Sequence, residues 1–235
     1  MSYSSLSLAW LPRTDGIFLM DNPQRLVQQG SIANIPTITG DCDDEGTLFS
    51  LSTLNLTTNA EFLGWVQEFW YPNASTAQLE SLSTLYPSTL PQGSPFDTGY
   101  LNALTPQFKR FAAYQGDLVF EAPRRFFQNA MSGKQSQWGF LSKRLKALPY
   151  LGSYHSTDLD QVYSEDYSEL KDAVIYFTNN LDPNGNTVPE WPQYTTATPN
   201  MLTLYDGIPA TNITQDTFRR DGFQFLTSLA LEFPV

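Results

Sequence analysis

Only three short stretches of this chain read as β-strands, and each is set among segments of helical period. β-Branched residues at Ile35, Thr37, Ile38 and Thr39, closed by Gly40, predict the first. SQWGFLSKRL (136–145) and NMLTLYDG (200–207) predict the other two. NPQRLVQQG (22–30) predicts a short helix, with Pro23 near its start and Gly30 ending it. NAEFLGWVQEFW (59–70) is apolar at Phe62, Trp65, Val66, Phe69 and Trp70, again a helical period. STAQLESLSTLYP opens on Ser75 with Gln78 three residues on, the pattern of a capping box. Residues 105–132 predict two helices broken near Gly116-Asp117. A further helix is ended by Asn180 and the 182–185 turn, and a C-terminal helix takes Thr214 as its N-cap. WLPRTDG (10–16) reads as a turn. Helices alternating with a few strands place the chain in the α/β class. Three strands are few for a self-sufficient sheet in 235 residues, so the pattern predicts part of a larger one.

No repeat or linker divides the chain, and one unit is expected across residues 1–235. A net charge of -11 leaves no basic surface to neutralise phosphates, which argues against a nucleic-acid partner and against anionic membranes. No apolar run is long enough to predict an integral membrane segment. The start, MSYSSLSLAWLPRTDG, lacks the charged head and apolar centre of a signal peptide. One cysteine and one histidine build neither a disulfide nor a zinc site, so no metal and no cofactor are expected. Sequons at Asn55, Asn73 and Asn212 lean towards secretion and predict glycosylation there.

GDCDDEGTLF (40–49) crowds Asp41, Cys42, Asp43, Asp44 and Glu45 directly behind the first strand. Like charges this close repel, so the stretch is either a solvated turn or holds a carboxylate aimed at something. The single histidine, His155, lies in the loop LPYLGSYHSTDL (148–159) behind the second strand. α/β folds place sites at the carboxyl ends of strands, so a Glu45–His155 pair is geometrically reasonable but not forced. Such a pair needs a nucleophile to deprotonate. No Gly-x-Ser-x-Gly elbow and no oxyanion motif of the His-Gly-Gly-Gly kind occurs. If both residues belong to a triad, its third member lies upstream of Met1. The plainer alternative is a surface histidine in a loop. A glycosidase built on Glu45 lacks an obvious second carboxylate.

TGDCDDEGTLF (39–49) resembles the acid-member motif of the type-B carboxylesterases, the group that includes cholinesterases and fungal lipases. LNLTT, residues 92–127, the 140–159 stretch, and DPNG with WPQYT are most similar to the Candida rugosa-type lipases. The resemblance runs from about Leu11 to the end. It implies an α/β-hydrolase fold of which this chain is the C-terminal part. The N-terminal half, with nucleophile elbow, oxyanion donors, lid and secretion signal, would be absent. It implies Glu45 as triad acid, His155 as triad base and Asp158 as a support of the histidine loop. Leu48 and Phe49 would line the acyl pocket, and Asn55 would be glycosylated. Asp41, Asp43 and Asp44 are then expected to cap backbone donors or face solvent. Cys42 is expected to be a small core residue behind the acid, not a reactive thiol. The implied activity is carboxylic-ester hydrolysis through an acyl-enzyme, on ester or lipid substrates, by an extracellular protein. The chain alone is expected to be inactive and to need its N-terminal half as partner. The alternative is a non-catalytic interaction module, which has no need of a retained acid and histidine.

Overall fold

The computed structural model describes residues 13–234 apart from Tyr167. The 10–16 turn falls partly outside this range; within it, Asp15 Oδ1 accepts the backbone N–H groups of Ile17, Phe18 and Leu19. Four strands form one mixed sheet in the order β1 (Thr37–Cys42), β2 (Gln137–Lys143), β3 (Asn200–Tyr205), β4 (Thr211–Gln215). The first three run parallel and β4 returns antiparallel to β3. Parallel neighbours need long crossovers, and the helices supply them. α1 (Pro23–Gln29) precedes β1. α2 (Thr47–Ser50), α3 (Asn59–Phe69), α4 (Thr76–Leu85), α5 (Phe108–Gly116) and α6 (Ala122–Met131) lie between β1 and β2. α7 (Thr157–Tyr163) and α8 (Glu169–Asn180) join β2 to β3, and α9 (Arg220–Glu232) ends the described chain.

Two apolar clusters form the core. One contains Phe62, Trp65, Leu82, Phe111, Tyr114, Phe223 and Leu226 from α3, α4, α5 and α9. All nine residues of α5 are buried, which makes it the central helix of that cluster. The other contains Trp138, Phe140, Leu170, Trp191, Leu202 and Leu204, with α8 lying over β2 and β3. The Trp138 and Trp191 indole N–H groups donate to the Trp191 and Gly139 carbonyls at 3.1 Å each, so these large rings are buried without stranding a donor.

The locally encoded elements stand where the sequence puts them. Asn22 and Gly30 bound α1, with Gly30 left-handed at φ 72°. The Ser75–Gln78 capping box is formed, and Thr58–Glu61 makes another at the start of α3. Four expectations change. β1 does not stop at Gly40 but runs on through Asp41 and Cys42; Gly40 is there because any Cβ would overlap the Phe140 ring on β2. The break near Gly116-Asp117 is a π-helical turn, Asp117–Glu121, which carries α5 into α6 without interruption. Pro123 has no N–H to offer in the next turn, and the wider turn accommodates that loss. The loop expected over 148–159 ends early, its last three residues opening the helix α7. Thr214 lies in β4, a fourth strand that sequence periodicity does not foresee, and the N-cap position of α9 falls to Arg219, whose side chain makes no capping bond. β4 has a single large apolar residue, Ile213, and is held through polar pairs such as Thr203–Thr214 at 2.6 Å.

Candidate active site

The site forms at the carboxyl ends of β1 and β2. β1 delivers Cys42, and Asp43–Gly46 turn immediately into α2. This turn is tight because Gly46 lies against α5: a Cβ there would run into the Ala112 carbonyl oxygen and the Gly116 nitrogen. Glu45, 5% exposed, is held at both oxygens. Oε1 accepts the Cys42 backbone N–H at 2.7 Å, and Oε2 lies 2.7 Å from His155 Nδ1. A carboxylate only accepts, so Nδ1 carries the proton and donates, leaving Nε2 as the free acceptor.

The hydrogen bond that His155 donates to Glu45 raises the proton affinity of the ring above its ordinary value, partial burial opposes the rise, and the charges of Glu45 and Asp158 add to it. The imidazole is flanked by two rings, Phe120 at 4.8 Å and Phe49 at 5.2 Å between centroids. Phe49 and Phe120 stack on each other at 6.0 Å. Phe120 comes from the π-helical turn. Among the described residues, no hydroxyl or thiol is hydrogen-bonded to His155.

The acidic neighbours do not face solvent; all three are buried and ion-paired. Asp41 receives Arg124 Nε at 2.5 Å. Burial pushes its carboxyl up to about 6 despite Arg124, with the nearby Glu45 charge adding to the rise. Arg124 also reaches Asp216 at 2.8 Å, and Arg125 meets Asp216 at 2.5 Å. Burial works against the ionised form of Asp216, yet the two guanidinium groups outweigh it and hold the carboxyl down to about 2. Asp43 pairs with Lys146 and with Lys143 at 3.4 Å. Asp44 binds Lys146 Nζ at 2.7 Å, Ser94 Oγ and Phe96 N–H at 2.8 Å, and Ser153 N–H at 3.0 Å. Packing makes the difference: β1 carries Asp41 into the sheet, and Asp43 and Asp44 lie in the buried turn that follows it. Each buried charge then requires a partner.

Asp158 stands in the first turn of α7, half-buried, and its hydrogen bond goes to Leu159 N–H at 3.0 Å, so its effect on His155 is through charge. Leu48 is half-buried on α2 beside Phe49. Cys42 is fully buried as a free thiol against Thr157 Oγ1 at 3.3 Å, and burial pushes its pKa far up. Asn55, Asn73 and Asn212 are all exposed. Sequence reasoning missed Phe120, Lys146 and Arg124. Four acids in one buried turn demand cations, and the Lys143–Lys146 and Arg124-Arg125 clusters were the available signal; nothing in the sequence announces Phe120. Among the described residues, no group of three or more His, Cys, Asp or Glu could hold a metal ion, and no helix is long and apolar enough to cross a membrane.

Lipase 4 of Diutina rugosa is 43% identical over 238 residues, covering 96% of this chain, and lipase 2 of the same organism is 42% identical over 97% of it. The chain is homologous to the fungal lipases of the Candida rugosa type. A secreted lipase 1 of Botryotinia fuckeliana is 36% identical over 97% of the chain. No protein-family profile matches. The chain spans 42% of the length of the two Diutina lipases and 41% of the Botryotinia enzyme. The crystal structure of Aspergillus niger EstA superposes with a TM-score of 0.78 at 22% identity, over 96% of this chain and 46% of that one, a match of fold.

Proposed function

We infer that this chain supplies the acid and the general base of a serine carboxylic-ester hydrolase, a lipase or esterase. The observation that carries the reading is the Glu45–His155 pair: a buried carboxylate fixed by Cys42 N–H, bonded at 2.7 Å to the chain's one histidine. In this role His155 Nε2 takes the proton of an attacking serine and returns it to the leaving alcohol. Glu45 fixes the tautomer and stabilises the imidazolium that forms. Leu48, Phe49 and Phe120 offer an apolar wall to the acyl chain. The charge of Asp158 favours the imidazolium.

The serine and the oxyanion donors belong, on this reading, to sequence outside these residues, consistent with relatives more than twice as long as the matched segment. The chain is then the C-terminal part of an α/β-hydrolase domain, and its N-terminal half is its partner. Taken alone it turns over no ester, because transition-state stabilisation rests chiefly on the oxyanion donors and nucleophile. An extracellular site of action and glycans on Asn55, Asn73 and Asn212 follow from the same reading; three of the relatives are named as secreted.

Grafting residues 13–234 in place of the matched segment of Diutina rugosa lipase 4 tests this with a p-nitrophenyl ester assay. The graft is expected to hydrolyse the ester, and His155→Gln to lower kcat on the order of 10^4-fold or more. Turnover by the graft that survives His155→Gln overturns the reading.

A further inference from the structure

Asp44 is 0% exposed and stands one residue before Glu45, yet it touches neither Glu45 nor His155 through its carboxylate. Its two oxygens take four donors from three separate segments. Oδ1 accepts Ser94 Oγ–H and Phe96 N–H. Oδ2 accepts Lys146 Nζ–H and Ser153 N–H. The Asp44 N–H returns a bond to the Ser153 carbonyl at 2.9 Å, so the two residues clasp each other in both directions. A parallel bridge continues the contact from Asp44 to Tyr154, the residue before His155. Thr47 Oγ1 lies 2.7 Å from the Leu151 carbonyl and ties the same two loops on the next turn. Gly152 completes the fit: it is left-handed at φ +58°, and a Cβ there would collide with Asp44 Oδ2.

The acid and the histidine lie 110 residues apart in sequence, and the 2.7 Å bond between them demands that two loops keep a fixed register. We propose that Asp44 is the positioning residue of the site, locking the 151–155 loop to the acid turn so that His155 Nδ1 meets Glu45 Oε2. This rests on the catalytic reading above, but its geometric part stands or falls independently of ester turnover.

Asp44→Asn separates the two sides of the clasp. Its amide oxygen still accepts Ser94 and Phe96, while its NH2 group faces the Ser153 N–H, donor against donor. Lys146 keeps Asp43 as its counter-ion. His155 is the chain's single histidine, so proton and nitrogen NMR reads it without ambiguity. Asp44→Asn is expected to lose the downfield Nδ1–H resonance and to bring the titration of His155 back towards its ordinary value, with the far-UV spectrum kept. Ser94→Ala, which removes a donor only from the Oδ1 side, is expected to leave both unchanged. Gly152→Ala sets a methyl against Asp44 Oδ2, the oxygen that Ser153 N–H donates to, and is expected to move the resonance in the same direction. In the grafted enzyme, Asp44→Asn is expected to lower kcat roughly ten- to hundredfold with KM held, the signature of a misplaced base. A folded Asp44→Asn protein with the wild-type resonance and titration overturns the proposal. If Asp44→Asn does not fold, a Gly152→Ala protein with no movement of the resonance overturns it. Loss of the resonance in an enzyme whose turnover ignores His155 leaves the positioning role standing and removes the catalytic reading.

Discussion

His155 Nδ1 lies 2.7 Å from Glu45 Oε2, and the hydrogen bond raises the proton affinity of the ring. A raised histidine pKa means that the folded protein holds the proton more tightly than the unfolded chain. The resulting stabilisation is fully present below the unfolded value of about 6.5 and is lost as pH rises through the folded value. Urea melts of wild type and His155→Gln between pH 5.5 and 9 are expected to differ most at the acid end and to converge at the alkaline end. A difference that is constant with pH contradicts the bond.

Gly46→Ala tests the packing that aims Glu45. The new methyl would meet the backbone of α5 at Ala112 and Gly116, which yields less readily than a side chain. A cost of about 1–3 kcal/mol or more is expected in urea midpoints, typical of overpacking. A neutral substitution would show that α2 and α5 are farther apart than the structure places them.

Asp216 and Asp41 share Arg124 but sit on opposite sides of their ordinary pKa values, about 2 and about 6. Asp216, depressed, stabilises the fold above its unfolded pKa near 3.9, and the contribution is lost as pH falls through about 2. Asp41, raised, costs stability as pH climbs from about 4 through about 6. At pH 7 Asp216→Ala is therefore expected to cost about 3–5 kcal/mol, the range for breaking a buried pair. Asp41→Asn is expected to cost much less. Chemical denaturation of both variants at pH 7 checks the order, and equal losses contradict it.

Cys42 is sealed behind the acid turn, and burial disfavours its thiolate. Ellman's reagent is expected to label it only after denaturant unfolds the chain. Rapid labelling of the native protein contradicts the burial.

The parts legible in the sequence are those written over three or four neighbouring residues. The Ser75–Gln78 capping box is one, the Pro23 start and Gly30 stop of α1 another. The acid, the histidine and their pairing were legible through the motif, the single histidine and the family resemblance; the contacts that hold the two loops in register were not, since they join segments more than 100 residues apart. The π-helical turn that brings Phe120 to His155 shows in sequence only as a break near Gly116-Asp117 and as Pro123, and neither says that the helix runs on. β4 was invisible because TNITQ is polar and pairs through hydroxyl and amide groups. The burial of Asp41, Asp43 and Asp44 could not be read locally either. Their partners Arg124, Lys143 and Lys146 come from 83 to 103 residues away, and an acidic run without them reads as a solvated turn.

The most direct test of the acid–base pair is the NMR titration of His155 in wild type and in Glu45→Gln. The expected wild-type result is a downfield Nδ1–H resonance, an unprotonated Nε2 at pH 8 and a titration midpoint above about 6.5, the ordinary value. Glu45→Gln is expected to abolish the downfield signal and lower the midpoint. A wild-type histidine that titrates at the ordinary value and does not respond to Glu45→Gln would show that the two residues are not paired, and the assignment of acid and base would fall.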